Sequence, residues 1–106
     1  MVRVMIERHC RADKAAAVEH LLVELRSQAM QQRGYISGET LRSVDDPSAW
    51  LVISTWISAD LWKAWERTPE RREISNKVAG LLLAPEKVTV YTFARRGGAK
   101  SVHGVG

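Results

Sequence analysis

The chain has very little cysteine, and this scarcity narrows the classes of protein to which it can belong. Cys10 is the only cysteine among the 106 residues. A single cysteine excludes an internal disulfide and a cysteine-rich metal site, and it is typical of proteins that function in a reducing compartment. We therefore expect a cytoplasmic protein that folds without covalent cross-links.

Long apolar segments are also missing. Residues 1–8 alternate charged with apolar side chains, so they lack the continuous apolar stretch of a secretory signal. No segment approaches the roughly 18 apolar residues that a membrane-spanning helix needs. The net charge of +4 comes partly from Arg95, Arg96 and Lys100 near the C-terminus, and the other charges are scattered. This pattern favours a solvated positive surface, so we expect neither membrane nor nucleic acid as a partner.

The usual motifs of metal-dependent and nucleophilic enzymes are absent too. The three histidines, His9, His20 and His103, show no metal-ligand spacing with one another or with Cys10. A Gly-rich phosphate loop, a nucleophile elbow and a pair of catalytic carboxylates are all missing. We therefore predict no metal site.

Four segments have the composition or the alternation of strands. In the first, Val2 to Cys10, the residues Val2, Val4 and Ile6 share one face with Arg8. The turn residues Asp45, Asp46 and Pro47 separate two further strands and make them an antiparallel hairpin. The predicted strands after the first are Tyr35 to Val44, Ala49 to Ile57 and Lys87 to Ala94.

Apolar residues at helical spacing predict a long first helix and a second helical segment in two pieces. The first helix runs from Lys14 to Arg33, with Asp13 as its cap and Gly34 as its stop. Ser58 can cap a short helix, and Thr68 followed by Pro69 starts another. The buried stripe of that last helix is Ile74, Val78, Leu81 and Leu82, and the helix ends at Ala84 and Pro85.

The element order is therefore β-α-β-β-α-β. Two right-handed crossovers of this kind produce a four-stranded antiparallel sheet with the helices on one face. We expect one α+β domain over residues 1–94 and a flexible C-terminal tail over residues 95–106, which contains four glycines.

The strand from Ala49 to Ile57 is apolar on both of its faces. A sheet face that meets water alternates polar with apolar residues, so the face away from the helices needs a cover. A second copy of the chain is the simplest cover. We therefore predict a homodimer that forms through the sheet faces.

Three parts of the chain carry a resemblance to a known family. They are the segment Ser54-Thr55-Trp56-Ile57-Ser58, the residues Leu61, Trp65 and Thr68-Pro69 that follow it, and the closing strand Val88 to Tyr91. In these parts the chain resembles the antibiotic biosynthesis monooxygenase family. The resemblance implies a ferredoxin-like β-α-β-β-α-β sandwich that pairs into a dimeric α/β barrel, with a pocket between sheet and helices in each subunit. It also implies a monooxygenase that oxidises a small aromatic substrate of the quinol, anthrone or polyketide type with O2 and needs no cofactor.

The same resemblance suggests the site residues. It implies that Trp65 stands over the substrate, although Trp62 and Trp65, three residues apart, are equally well explained as core anchors. Arg8 points toward an apolar layer and would favour a substrate anion, unless it pairs with a carboxylate at the sheet margin. The other expected substrate-binding residues are Trp56, Trp62 and Tyr91 in the walls and Ser75 and Asn76 at the mouth.

Departures from the family pattern leave other readings open. Heme-degrading relatives carry a histidine and an asparagine where this chain has Ser75 and Arg8, and cofactor-free relatives carry an asparagine where it has Leu61. The alternatives are a non-catalytic ligand-binding or structural dimer of the same fold and a heme-binding or heme-degrading relative without the usual histidine. An RNA-recognition module shares the element order, but here the first strand lacks an aromatic residue and the third lacks glycine.

Overall fold

The computed structural model describes residues 1–95, which form a four-stranded antiparallel sheet with three helices packed on one face. A short 3-10 turn, Ala12–Lys14, precedes the first helix. The predicted tail, residues 95–106, lies outside the described residues except for Arg95. The elements are β1 (Val2–His9), α1 (Ala15–Ala29), β2 (Tyr35–Arg42), β3 (Ala49–Trp56), α2 (Ala59–Glu66), α3 (Pro69–Ala79) and β4 (Lys87–Thr92).

The strand order in the sheet is β2-β3-β1-β4, and every neighbouring pair is antiparallel. Val4 on β1 lies opposite Ser54 on β3 and Val90 on β4, so these three side chains share the face toward the helices. This topology confirms the predicted ferredoxin-like fold.

Polar side chains close the turn between β2 and β3. One carboxylate oxygen of Asp46 accepts hydrogen bonds from the amide of Ser48 at 3.1 Å and from its hydroxyl at 2.7 Å. These bonds favour the charged form of the carboxyl and hold the pKa of Asp46 below its usual value. The predicted hairpin therefore has a turn whose geometry depends on an ionised aspartate.

Both predicted caps of the second helical segment are present. The Ser58 hydroxyl accepts a hydrogen bond from the amide of Leu61 at 3.2 Å, and the Thr68 hydroxyl accepts one from the amide of Arg71 at 3.2 Å. Pro69 occupies the first turn of α3, where its missing N–H costs nothing. These caps fix the start of α2 and of α3.

The first helix is shorter at both ends than the sequence pattern suggests. Asp13 makes no capping hydrogen bond because it lies inside the 3-10 turn, one turn before α1 begins. At the other end, the amide of Gln32 bonds to the carbonyl of Ala29 at 2.9 Å, so the last turn tightens and the helix stops before Arg33. Gly34 then takes a positive φ of 92°, which turns the chain into β2.

Leu81 and Leu82 lie beyond the end of α3 and not in its buried stripe as predicted. The backbone there leaves the helix to pair with the end of β1. The amide of Leu83 donates to the carbonyl of His9 at 2.7 Å, and Leu82 forms a bridge opposite Cys10. Both leucines still pack on the core, which includes the fully buried thiol of Cys10.

The outer face of the sheet, away from the helices, carries Met5, Leu51, Ile53, Leu41 and Tyr91. Leu41 and Tyr91 are 44% and 51% exposed, and the other three are partly covered by their neighbours on the strands. A shallow groove of about 460 Å³ crosses this face. The third strand is therefore apolar on both faces, as its sequence indicates.

Across residues 1–95, every helix is too short or too polar to span a lipid bilayer.

Candidate functional site

A cavity of about 60 Å³ lies between the inner face of the sheet and the three helices. A single water molecule needs roughly 10–15 Å³ of such space, whereas a cavity that holds benzene measures about 150 Å³. The side chains as they stand therefore leave room for several water molecules or a small polar group, and an aromatic ring can enter only if part of the wall moves.

Three tryptophans form the apolar wall of this cavity. Trp56, Trp62 and Trp65 are all buried and all line it. The Trp56 indole N–H donates to the Ser54 hydroxyl at 3.0 Å, and its ring meets that of Trp62 edge to face at 5.8 Å between centroids. The structure thus brings the three tryptophans that we expected in the site together around one space.

Helix α2 holds two of these tryptophans in place. Trp62 and Trp65 are three residues apart, so they share the helical face turned toward the sheet. Leu61 points elsewhere and packs on Gly34, where an added Cβ would come within 2.6 Å of a Leu61 methyl group. The residue at the position where cofactor-free relatives carry asparagine is therefore a packing contact outside the cavity wall.

Arg8 lines the cavity and is only 2% exposed. Its Nε donates to a carboxylate oxygen of Glu86 at 3.2 Å, so it forms a carboxylate pair while also facing the apolar layer. Burial lowers the pKa of Arg8, and the neighbouring charge of Arg71 acts in the same direction, while Glu86 opposes both. An arginine pKa starts so high that the guanidinium remains positively charged at neutral pH.

A second buried arginine, Arg71 on α3, lines the same cavity and was missed in the sequence. It is 6% exposed, and its Cζ lies 5.1 Å from the centre of the Trp62 ring. The spacing of Arg71 along the helix could have indicated that it points inward. Arg71 precedes Ile74 by three residues and Val78 by seven, so it shares their inward face. The adjacent Arg72 concealed this signal, because a pair of arginines is typical of a solvated surface.

The mouth of the cavity is formed by β2 and the end of α1. Tyr35, Thr40 and Glu39 line it from the strand, and Arg26 lines it from the helix. A Cβ on Gly38 would lie 2.6 Å from the Tyr35 hydroxyl oxygen, so the hydroxyl can lie against the strand only because Gly38 has no side chain. The mouth is thus the polar and exposed side of an otherwise buried space.

Three of the expected site residues lie away from this cavity. Ser75 is half-buried and Asn76 is exposed on α3, and neither is among the residues that line the cavity. Tyr91 is on the outer face of the sheet, where it borders the groove. The structure therefore brings together Trp56, Trp62, Trp65 and Arg8 but leaves Ser75, Asn76 and Tyr91 apart from them.

The sequence profile described as antibiotic biosynthesis monooxygenase matches residues 1–77. The chain belongs to the antibiotic biosynthesis monooxygenase family. Its matched region contains β1 to α2 and α3 as far as Lys77, with all three tryptophans and all three arginines of the cavity. No curated protein matches the sequence.

Solved structures share the fold of this family member at low sequence identity. SnoaB from Streptomyces nogalater, a cofactor-independent oxygenase, is 17% identical, with a TM-score of 0.78 over 91% of this chain and 95% of that one. Rv0793 from Mycobacterium tuberculosis is 21% identical, with a TM-score of 0.82 over 92% and 98% of the two chains. A conserved protein from Methanosarcina mazei is 16% identical, with a TM-score of 0.81 over 85% and 89%.

The cavity of this family member does not fit a heme. Its lining residues include no histidine, which is the iron ligand that the resemblance to heme-degrading relatives implies. The position of that ligand holds Ser75, which lies away from the cavity. In residues 1–95, histidine, cysteine and acidic side chains also form no group of three that could hold a metal ion.

Proposed function

We propose that this protein is a monooxygenase that oxidises a small aromatic substrate of the quinol, anthrone or polyketide type with O2 and without a prosthetic group. The observation that carries the proposal is the convergence of three buried tryptophans and a buried cation, Arg8, on one cavity. Membership of the family supports the reaction class, and the fold shared with a cofactor-independent oxygenase is consistent with it.

The chemistry needs little from the protein. An anthrone-type substrate loses a proton from the CH2 that lies opposite the carbonyl in its central ring, and the resulting electron-rich anion passes an electron to O2. Combination of the two and loss of water convert the CH2 to a carbonyl. One atom of O2 enters the product and the other leaves as water. All four electrons come from the substrate, so no external reductant is required.

The cavity residues match these requirements. Trp65 and Trp62 offer flat apolar surfaces against which an aromatic ring can pack. The guanidinium of Arg8 favours the substrate anion, and the buried position of Arg8 strengthens that attraction. The proton released from the substrate can pass to water at the mouth, where Glu39 and Thr40 lie. In this proposal Trp65 binds the ring and Arg8 stabilises its negative charge.

A substrate ring needs more space than the closed cavity provides, so the mouth must open. We propose that the wall that moves is Tyr35, which is half-buried on the edge strand β2 and packs edge to face on Trp56 at 5.4 Å, together with Arg26 on the exposed side of α1. The tryptophans behind them are held by core packing and by the bond between Trp56 and Ser54. We therefore expect substrate to enter from the side of β2 and to displace Tyr35.

Oxygen uptake tests the proposal. The purified protein is mixed with anthrone or a hydroquinone, and O2 consumption is followed with an electrode. We expect acceleration over buffer, loss of most of it in Trp65→Ala, and partial retention in Trp65→Phe, which keeps an aromatic ring. Phe93→Ala, an exposed residue outside the cavity, is the control. Equal rates in buffer and with protein would refute the proposal.

One observation favours a second function, a ligand-binding or structural protein without catalysis. The three tryptophans fill most of their own cavity and leave only about 60 Å³. If they serve as core anchors alone, aromatic ligands should fail to bind and Trp65→Ala should cost about 3–5 kcal/mol of stability, as a core truncation does. Calorimetric titration with a naphthalene derivative identifies a purely structural protein, which should not bind it, and oxygen uptake then separates a non-catalytic binding protein from a monooxygenase.

We also propose that the protein forms a homodimer through the outer face of its sheet, as in the dimeric barrel that the family resemblance implies. Supporting this, Met5, Leu51 and Ile53 give that face an apolar centre on β1 and β3. Sedimentation of the wild type should give a dimer, and Ile53→Lys should give a monomer. Val23→Lys, on the exposed side of α1, is the matched control and should remain dimeric. A wild-type monomer at micromolar concentration would contradict this proposal.

A further inference from the structure

We infer that the cavity recognises the carboxylate of an aromatic acid and that Arg71 is the residue that binds it. The inference rests on the proposed function, since it names the substrate class of the same cavity. It depends on four features of the described residues: an unpartnered donor on Arg71, an excess of positive charge, the volume of the cavity and the position of Arg71 beside Trp62.

The unpartnered donor is Nη2 of Arg71. It is buried, and no acceptor within residues 1–95 forms a hydrogen bond with it. Its nearest carboxylate oxygen, on Glu86, is 3.7 Å away, which is beyond hydrogen-bond distance. Glu86 instead accepts a hydrogen bond from Arg8. A buried charged donor without an acceptor is costly, so an acceptor from a ligand would be bound favourably.

Positive charge exceeds negative charge around the cavity. Arg8, Arg71 and Arg26 line it, together with one acidic residue, Glu39 at the mouth. Glu86 lies behind the two buried arginines and contacts both. Glu39 pairs with Arg3 at 4.0 Å and Arg26 is exposed, so the buried charges are Arg8 and Arg71 against Glu86. Two arginines against one glutamate leave one uncompensated positive charge, and its buried location strengthens its attraction for an anion.

The required anion is a carboxylate and not a phenolate. A carboxyl group with a pKa near 4 is ionised at neutral pH without help, whereas a phenol with a pKa near 10 must first lose its proton at a cost of about 4 kcal/mol. Size agrees with this choice. The three heavy atoms of a carboxylate fit a space of about 60 Å³, whereas a ring does not. The carboxylate would therefore occupy the existing space, and the ring would occupy the opened mouth.

The position of Arg71 orients such a substrate. Its guanidinium lies over the Trp62 ring, and Trp62 is on the same helical face as Trp65. A carboxylate bound to Nη2 would place the attached ring between these tryptophans and β2. Arg8, whose Nε donates to Glu86, would not be needed to bind the carboxylate and could stabilise negative charge on the substrate ring itself.

Calorimetric titration with a matched pair of ligands tests the inference. The full chain is titrated with 2-naphthoate and with 2-naphthamide, which has nearly the same shape but no charge. A charge-assisted hydrogen bond to a buried arginine predicts at least about tenfold tighter binding of the naphthoate. Arg71→Gln should abolish this preference, whereas Arg72→Gln, on the exposed side of the same helix, should retain it. Equal affinity of the wild type for both ligands would overturn the inference.

A second variant covers the case in which Arg71→Gln fails to fold. Glu86→Gln removes the counter-ion and raises the excess of positive charge, so it should tighten naphthoate binding by about fivefold or more and leave naphthamide unchanged. A purely structural role of the Arg71, Glu86 and Arg8 cluster predicts no such tightening. Unchanged or weaker naphthoate binding in this variant would contradict the inference.

Binding and turnover keep this inference separable from the proposed oxidation. If the protein prefers naphthoate through Arg71 but consumes no O2 with any substrate, the carboxylate site stands and the proposed monooxygenase function is wrong. If the protein oxidises a quinol but binds naphthoate and naphthamide equally well, the carboxylate site is wrong and the proposed monooxygenase function stands.

Discussion

Replacing Gly34 with alanine should lower the free energy of unfolding by about 2–5 kcal/mol. The backbone at Gly34 has φ of 92°, a conformation that costs an L-residue about 1–2 kcal/mol. The added Cβ would also come within 2.6 Å of the Leu61 Cδ1 and 2.8 Å of its Cβ, and overpacking of this kind costs about 1–3 kcal/mol. Since the two causes are independent, their costs should add.

The same substitution should disturb the candidate site. Leu61 belongs to α2, and any shift of that helix away from Gly34 carries Trp62 and Trp65 with it. The start of the helix is also tied to this loop, because the amide of Ile57 donates to the carbonyl of Gly34 at 2.8 Å. We therefore expect the near-ultraviolet circular dichroism of the buried tryptophans to change while the far-ultraviolet spectrum is retained.

Urea unfolding measures the loss, and Gly80→Ala is the matched control. Gly80 has φ of −65°, and a Cβ there would meet nothing closer than 3.6 Å, so alanine should be neutral or stabilising by about 0.4–1 kcal/mol. In Gly34→Ala/Leu61→Ala the clash with the leucine terminus disappears, so the double variant should lose less than the sum of the single losses. A loss below about 1 kcal/mol in Gly34→Ala would refute the reasoning.

Three further predictions concern polar groups. Ser54→Ala leaves the buried indole N–H of Trp56 without its acceptor, so it should lower the free energy of unfolding in urea by about 1–3 kcal/mol. A loss equal to that of Ser37→Ala, at an exposed serine, would contradict this prediction. Glu86→Ala leaves two buried arginines without their carboxylate and should lower the free energy of unfolding by about 3–5 kcal/mol. The control is Glu73→Ala, which should cost less than about 1 kcal/mol because the pair of Glu73 with Lys77 is exposed. Comparable losses in the two variants would argue against a buried network. The carboxyl of Asp46 should titrate in NMR spectra below the ordinary aspartate pKa of about 3.9, and Ser48→Ala should raise that pKa. Because the folded-state pKa is lowered, the contribution of Asp46 to stability is complete above the ordinary value and is lost as the pH falls through the lowered one.

Much of the fold follows from local patterns. The alternation of Val2, Val4 and Ile6 predicts β1 and its inner face, and the turn at residues 45–47 predicts the hairpin. The caps at Ser58 and Thr68 are where the sequence indicates them. These features are predictable because each depends on residues that are close together in the chain.

The helix ends were less predictable because tertiary contacts decide them. Gly34, taken as the stop signal, placed the predicted end of α1 at Arg33, but the chain already tightens after Ala29 to reach Gly34 and then β2. Beyond α3, Leu81 and Leu82 keep an apolar spacing, yet their backbone pairs with the end of β1 instead of continuing the helix. The spacing of apolar residues does not predict these hydrogen bonds, because they join segments that are far apart in the chain.

The candidate site was only partly predictable for the same reason. The resemblance to the family indicated Trp65, and the strand period indicated that Arg8 points inward. Arg71 and Glu86, which complete the charge cluster, come from α3 and from the segment before β4, so their meeting with Arg8 depends on the topology of the whole sheet. Tyr91 was expected in the cavity wall because it is aromatic and lies on a strand, but its register on β4 places it on the outer face.

Incorporation of isotopically labelled O2 tests the central claim most directly. Purified protein is incubated with an anthrone under labelled O2, and the product is analysed by mass spectrometry together with that of Trp65→Ala. We predict one labelled oxygen atom in each quinone product, formed faster than in buffer, with the acceleration lost in the variant. Product that forms at the buffer rate, or that forms equally fast with and without Trp65, would contradict the claim that this cavity is a monooxygenase site.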